Sequence, residues 1–225
     1  MKQAEFVDLE SLIFEDNDKL ADEIREDLTR RGTLMINVMS SPGAGKTTLI
    51  QDVLRRLQGK VKVAVVEGDV ESRMDADKIA ALGVPAVQLR TGGGCHLDAA
   101  MIKAGLDKLE GYDPDLIIIE NIGNLVCPAE FDTGAHNCVT ILSIPEGDDK
   151  PVKYPLMYSV CDAMIISKFD TLPVFDFDVE LAEQRASKLN PDIKFFHVSA
   201  KTGEGMDALI NKLLSLIENA KEKRS

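Results

Sequence analysis

Short apolar runs of strand type alternate with helical patterns along most of the chain. The runs are Thr33–Met39, Val61–Val66, Pro85–Arg90, Asp115–Glu120, Asn137–Ile144, Asp162–Lys168 and Ile193–Val198. Several are apolar at consecutive positions, as strands covered by helices on both faces are. Apolar residues spaced for one helical face predict helices over Glu15–Arg31, Lys46–Leu57, Asp75–Leu82, Leu97–Leu109, Asp178–Leu189 and Met206–Ala220. Most intervening segments are long enough for a crossover helix. The expectation is therefore an α/β fold, a mostly parallel sheet with right-handed connections and helices on both faces. It divides into an N-terminal helical extension (1–32), one domain (33–220) and a frayed tail (221–225). The leading helix, rich in charge, has two readings: packing on the flank of the domain, or docking a partner.

Composition narrows the function classes. In 225 residues, 26 Lys and Arg stand against 38 Asp and Glu, a net charge of −12. A nucleic-acid backbone needs a basic face, and a membrane surface needs a polybasic anchor, so neither is an expected partner. No apolar run approaches the roughly 18 residues of a membrane span. The start, MKQAEFVDLE, lacks the apolar stretch of a secretion signal, which predicts a cytoplasmic protein. The four cysteines do not form a disulfide framework in such a chain; metal binding, catalysis and plain burial stay open.

The most specific segment is SSPGAGKTT, Ser40–Thr48, between a strand and a helix. It follows the phosphate-loop pattern G-x-x-x-x-G-K-[ST], with Ser40 at the first Gly. Gly43 and Gly45 allow the backbone to curl, so that the amides from Ser41 through Ala44 to Thr48 point at phosphate oxygens. The following helix adds its positive end. Lys46 reaches the outer phosphates and the Thr47 hydroxyl serves Mg²⁺. The Ser40 departure is tolerated if that residue needs no positive φ.

A phosphate loop needs a carboxylate at the end of a nearby strand. DLIIIE ends in Glu120, and Gly123 follows with an amide that could meet the γ-phosphate. In EGDVESRMDAD, Asp69 and Asp75 are candidates for Mg²⁺ or its waters; each equally suits a helix cap. Both segments lie at carboxyl strand ends, where such sheets bind ligands. Both are candidate switches that order on nucleotide and relax on hydrolysis. Asn124, not Gln, follows Gly123, and Arg73 reads better as surface charge than as an arginine finger. With no residue set to orient the attacking water, intrinsic GTP hydrolysis is expected to be slow.

Base choice is written late in the chain. SKFD (Ser167–Asp170) resembles the N-K-x-D guanine motif: the Asp170 carboxylate accepts guanine's paired donors, which adenine lacks, and Lys168 lies over the base. VSAK (Val198–Lys201) resembles the second guanine loop, with Ser199 and Lys201 flanking the Ala200 amide that meets guanine O6. Together they select GTP over ATP. Ser167 in place of Asn removes an amide that braces these loops, which predicts looser selectivity.

Cys95 and His96 stand side by side in GGGCHLDAA, and Cys127 follows the Glu120 segment. The spacing is not C-x₂-C, so the residues alone leave metal ligation and ordinary packing both open. Thiolate and imidazole suit Ni²⁺ or Zn²⁺, and such a trio is an incomplete shell that a second subunit could complete. His136 is a weaker further candidate. Cys138, Cys161 and His197 read as strand residues with packing roles.

The stretches SSPGAGKTTL, EGDVESRMDADKI, TGGGCHLDA, IENIGNLVCPAEFDTGA, PEGDDKPVKYP and SKFD together resemble the hydrogenase nickel-incorporation GTPases, the HypB family, from Thr33 onward. The resemblance implies a SIMIBI-type P-loop GTPase fold, nucleotide-linked homodimerisation and nickel delivery to a [NiFe]-hydrogenase large-subunit precursor. It implies a HypA-type nickel chaperone as partner, and Ni²⁺ or Zn²⁺ on Cys95, His96 and Cys127 at the subunit interface. Lys153, in DKPVKYP, has two readings: reaching across a dimer to the partner's nucleotide, or a solvated lysine. Some members begin with a nickel-storing Cys or His stretch; MKQAEFVDLE is neither, so storage is not expected.

Overall fold

Seven strands lie side by side, all parallel, in the order β3-β2-β4-β1-β5-β6-β7. They are β1 (Leu34–Ser40), β2 (Val63–Glu67), β3 (Ala86–Gln88), β4 (Leu116–Gly123), β5 (Asn137–Ser143), β6 (Ala163–Ser167) and β7 (Lys194–His197). The α-helices whose bounds lie among the described residues are α1 (Leu9–Arg31), α2 (Lys46–Leu57), α3 (Ala99–Asp107), α4 (Lys150–Lys153), α5 (Pro155–Ser159), α6 (Val179–Leu189) and α7 (Met206–Glu222). This computed structural model describes residues 9–68, 79 and 81–224. The expected helix Asp75–Leu82, with Asp69, Arg73 and Asp75, lies outside the described residues except for Ile79, Ala81 and Leu82.

The double-sided strands are explained by their two covers. Ile36, Val38, Val65 and Ile118 face α2 and α7, packing on Leu49, Val53, Leu57, Leu213 and Ile217. Met35, Ala64, Val66, Ile117 and Ile119 face the other way, onto Ala21, Ile24 and Leu28 of α1 and Ile102 of α3. A third cluster joins Leu142, Met164 and Ile166 to Met157, Tyr158, Ala182 and Ala186. Burying each large apolar side chain contributes about 1.5–3 kcal/mol, which fixes the register of the central strands.

Several boundaries differ from the expected ones. β4 continues past Glu120 to Gly123, because Asn121 is also buried and its side-chain Nδ2 donates to Asn37 Oδ1 at 3.1 Å. The last helix runs to Glu222, and Lys221 pairs with Asp115 at 2.7 Å. Lys221 and Glu222 are thus helical and not part of a frayed tail. The short turns α4 and α5 carry no apolar period long enough to read.

Two features place the site. β1 lies between β4 and β5: the connection leaving it runs to β2 on one side, the later β4–β5 connection crosses it to the other side, and a crevice opens at its carboxyl end. The ends of β2 and β4 are in register there, with Glu67 opposite Glu120.

Candidate functional site

The phosphate loop leaves β1 at the crevice. Ser40 is the last residue of the strand and fully buried. Among the described non-glycine residues only Lys168 has a positive φ, so Ser40 needs none, and its hydroxyl has a use a Gly could not supply. It accepts from Lys46 Nζ at 3.0 Å. Gly45 caps α2 with φ 97° and opens the loop onto the helix N-terminus. Thr47 Oγ1 donates to Glu120 Oε1 at 2.7 Å. Glu67 is buried on the neighbouring strand in register with Glu120. Hydroxyl and carboxylate oxygens of this kind are the hard donor set that Mg²⁺ takes. The signal for Glu67 in the sequence is its place at the end of VKVAVVE. A second carboxylate at the site, without such a signal, is Glu146. That carboxylate accepts from the Ser143 amide at 2.8 Å and from the hydroxyl of Ser41, tying the end of β5 to the phosphate loop.

Gly123 sits against the same loop from the other side. A Cβ there would meet Pro42 Cα at 3.1 Å and Pro42 N at 3.2 Å, so a larger residue would push the loop back by a few tenths of an ångström. Directly after it, Asn124 Nδ2 donates to the Cys95 carbonyl at 3.3 Å, and its Oδ1 accepts from the Val126 amide at 2.9 Å.

The base end is a cavity of about 230 Å³ bounded by Gly45, Ser167, Lys168, Asp170 and Ala200. Ser167 Oγ donates to the Ala44 carbonyl at 2.9 Å and is buried. The expectation that Ser167 leaves the loops unbraced is corrected: a hydroxyl makes the bond from this short distance. Lys168 is held at φ 55°, a strained position, and its Nζ donates to the Gly43 carbonyl at 2.8 Å. Ser199 Oγ donates to Asp170 Oδ1 at 2.7 Å and Lys201 lies 3.9 Å from Asp170 Oδ2. Lys153 does not line this cavity; exposed on α4, it pairs with Asp149 at 2.5 Å. That pairing raises its pKa and lowers that of Asp149.

The metal candidates converge. The ligand atoms of Cys95, His96 and Cys127 all lie within 4.8 Å of one another. Cys95 Sγ is 3.7 Å from His96 Nδ1, close to the ~3.6 Å edge of a tetrahedron with bonds of about 2.0–2.3 Å. Cys95 is exposed, His96 and Cys127 partly so, and an open side remains. Hydrogen bonding with Cys127, then burial, then the charges of Cys127 and Glu130 raise the Cys95 thiol above its ordinary pKa. A metal must displace that proton. The weaker candidate His136 is elsewhere: Nδ1 accepts from the Met35 amide and Nε2 meets Thr29 Oγ1, each at 3.0 Å. Cys161 is fully buried, burial pushes the Cys138 thiol up to about 12, and His197 pairs with Glu183 at 2.6 Å.

Comparison with known proteins agrees with this geometry. The family described as "CobW/HypB/UreG, nucleotide-binding domain" matches residues 34–197. The hydrogenase maturation factor HypB of Azotobacter chroococcum mcd 1 is 48% identical over 206 residues, 92% of this chain and 68% of that protein. The structure of HypB from Helicobacter pylori in complex with nickel superposes with a TM-score of 0.86 and 40% identity, over 93% of this chain and 98% of that one. HypB from Archaeoglobus fulgidus gives 0.84 and 37%, over 90% and 99%. The matched span runs from the first residue of β1 to the last of β7 and includes the phosphate loop, the Cys-His pair and the Asn124–Cys127 segment. On that agreement of sequence and fold, the chain belongs to the HypB hydrogenase maturation factors of the CobW/HypB/UreG family.

Proposed function

We propose that this protein is a GTP-hydrolysing switch that delivers nickel during [NiFe]-hydrogenase maturation, with metal binding and dimerisation set by nucleotide state. One observation carries the reading. A segment of five residues runs from Gly123, packed on Pro42 of the phosphate loop, through Asn124, bonded to the Cys95 carbonyl, to Cys127 itself. Any movement of this segment toward or away from a γ-phosphate moves a metal ligand with it.

In this reading the amides from Ser41 to Thr48 and the Lys46 ammonium hold the phosphates of GTP. Asp170, oriented by Ser199, accepts the two guanine donors, and the Ala200 amide meets O6. Thr47 and Glu120, with Asp69 and Asp75 as further candidates, hold Mg²⁺, which when bound neutralises charge developing on the phosphoryl oxygens. Lys46 places its own charge beside the same oxygens. Asn124, the residue where a water-orienting Gln would stand, has its amide engaged by Cys95 and Val126; unassisted turnover is slow for that reason.

The cargo, Ni²⁺ or Zn²⁺, rests on Cys95, His96 and Cys127. The soft S₂N set fits both ions, and its open side receives ligands from a second protomer. Val152 on α4, Leu156 on α5 and Val160 just past it stand exposed, and Val126 beside Cys127 is exposed too; a homodimer covers them. Lys153, exposed on α4, reaches the partner's nucleotide. A HypA-type nickel chaperone and a hydrogenase large-subunit precursor are the partners before and after transfer, in the cytoplasm. Among the described residues no helix is long and apolar enough to cross a membrane.

The test is titration of the metal-free protein with Ni²⁺ in the presence of GDP or a non-hydrolysable GTP analogue, with oligomeric state read alongside. Different affinities and different dimer fractions are expected. Identical values in both nucleotide states would refute the switch.

A further inference from the structure

We propose that α1 is the positioning element of the Cys95–His96–Cys127 site: Asn17 fixes the two ligand-bearing segments against each other, and the Phe14–Phe131 pair fixes the plane of the His96 ring. The inference rests on the metal site of the reading above and assigns a task to the leading helix.

The ligands come from two connecting segments, one after β3 and one after β4, so strand pairing does not set their separation. Besides the direct Asn124–Cys95 bond, Asn17 ties them together from α1. Its Nδ2 donates to the carbonyl of Asp132, five residues beyond Cys127, at 3.0 Å. Its Oδ1 accepts from the amide of Ala99, three residues beyond His96, at 2.9 Å. One amide group thus spans the two segments. Arg25, two turns further along α1, repeats the grip on the second: Nη2 pairs with Asp132 Oδ2 at 2.5 Å, and Nε donates to the Ala135 carbonyl at 3.1 Å.

The ring plane is set by stacking. His96 lies on Phe131 with centroids 3.8 Å apart and planes 8° from parallel. Phe14 of α1 backs Phe131 at 4.9 Å. A metal approaches an imidazole nitrogen in the plane of the ring, so a ring free to tilt or swing presents its lone pair in the right direction only part of the time. A ring held flat against Phe131 has that orientation before the ion arrives. α1 can hold it because the same face, continuing at three- and four-residue spacing, is anchored in the core through Ala21, Ile24 and Leu28, all at most 5% exposed. Groups that orient ligands without touching the ion are typically worth 10–100-fold in metal affinity.

The experiment uses the full chain and variants Asn17→Ala, Phe131→Leu, Phe131→Tyr and Cys127→Ala. Ni²⁺ affinity is measured by competition with a chromogenic chelator, and coordination by the absorption spectrum of the Co²⁺-loaded protein. GDP affinity without metal reports whether each variant is folded. Asn17→Ala and Phe131→Leu are expected to weaken Ni²⁺ binding by about 10-fold or more and to alter the Co²⁺ bands, with GDP affinity unchanged. Phe131→Tyr, which keeps the stacked ring, is expected to retain both affinity and spectrum. If Asn17→Ala loses GDP affinity, the Phe131 pair decides alone. The inference is overturned if Asn17→Ala and Phe131→Leu match the unmodified protein in affinity and spectrum while Cys127→Ala loses nickel. If Cys127→Ala also binds as tightly as the unmodified protein, the metal site itself is wrong, and the functional reading falls with it.

Discussion

Removing the Asn124 amide should uncouple nickel from nucleotide while leaving each to bind. The side chain makes one bond within its own segment, to the Val126 amide at 2.9 Å, and one across to the Cys95 carbonyl at 3.3 Å. Only the second joins the two ligand-bearing segments. A net hydrogen bond is worth about 0.5–1.5 kcal/mol, and this one is long and exposed, so roughly 1 kcal/mol of differential stability is at stake. That corresponds to a change of about fivefold in the ratio of nickel affinities with GDP and with a GTP analogue, within the range of ordinary allosteric coupling. The assay is the four-cornered cycle: Ni²⁺ dissociation constants in both nucleotide states for the unmodified protein and for Asn124→Ala. Asn124→Asp sharpens it. The carboxylate still accepts from Val126 but cannot donate to Cys95, and its added charge acts on both nucleotide states, so the ratio stays informative. A ratio unchanged in both variants would refute the claim that this side chain transmits the signal.

Four further outcomes follow from the geometry. Ser167→Ala deprives the buried Ala44 carbonyl of its donor and should weaken GDP binding roughly tenfold by fluorescence titration; Ser167→Asn should restore it. Asp170→Ala should weaken GTP without strengthening ATP in a competition assay, because only guanine offers the paired donors. Gly134→Ala must adopt φ +77° and place a Cβ 2.8 Å from the Ala21 carbonyl; urea unfolding should show a loss of about 2–4 kcal/mol. Burial first, and then the charge of Arg25, lower the His136 pKa. The unfolded chain therefore binds the proton more readily, and stability present above pH ~6.5 is lost as pH falls below it. His136→Asn should flatten that part of the urea stability profile just below pH ~6.5, and a profile as steep as the unmodified protein's would contradict the assignment.

How far the sequence reached depends on the range of the interaction. The phosphate loop was legible because its chemistry is local: strand, curl, helix and the Lys-Thr pair are consecutive residues, and α2 begins and ends where its apolar spacing placed it. Strand identity was legible for the same reason, since a strand buried on both faces is apolar at successive positions. The end of β4 was misread because Asn121 and Gly123 resemble turn residues. They are strand residues here because Asn37, 84 positions away, satisfies the Asn121 amide.

Within the site, the residue types and their order pointed to a guanine nucleotide, and the family resemblance pointed to Cys95, His96 and Cys127 as metal candidates; neither gave what holds them. Ser167 was read as a missing brace because its partner, the Ala44 carbonyl, is 123 residues distant. Asn17, Phe14 and Arg25 carried no signal at all: a polar, an aromatic and a basic residue on a charged helix are individually ordinary. By itself, the sequence determined the sheet and the phosphate loop and made Cys95, His96 and Cys127 candidates, because these depend on short-range pattern and side-chain chemistry. Only the tertiary structure decided that the three ligand atoms meet, that Gly123 lies on Pro42, and that α1 closes over the metal loops, because each of those is a distance between segments far apart in the chain, set by core packing.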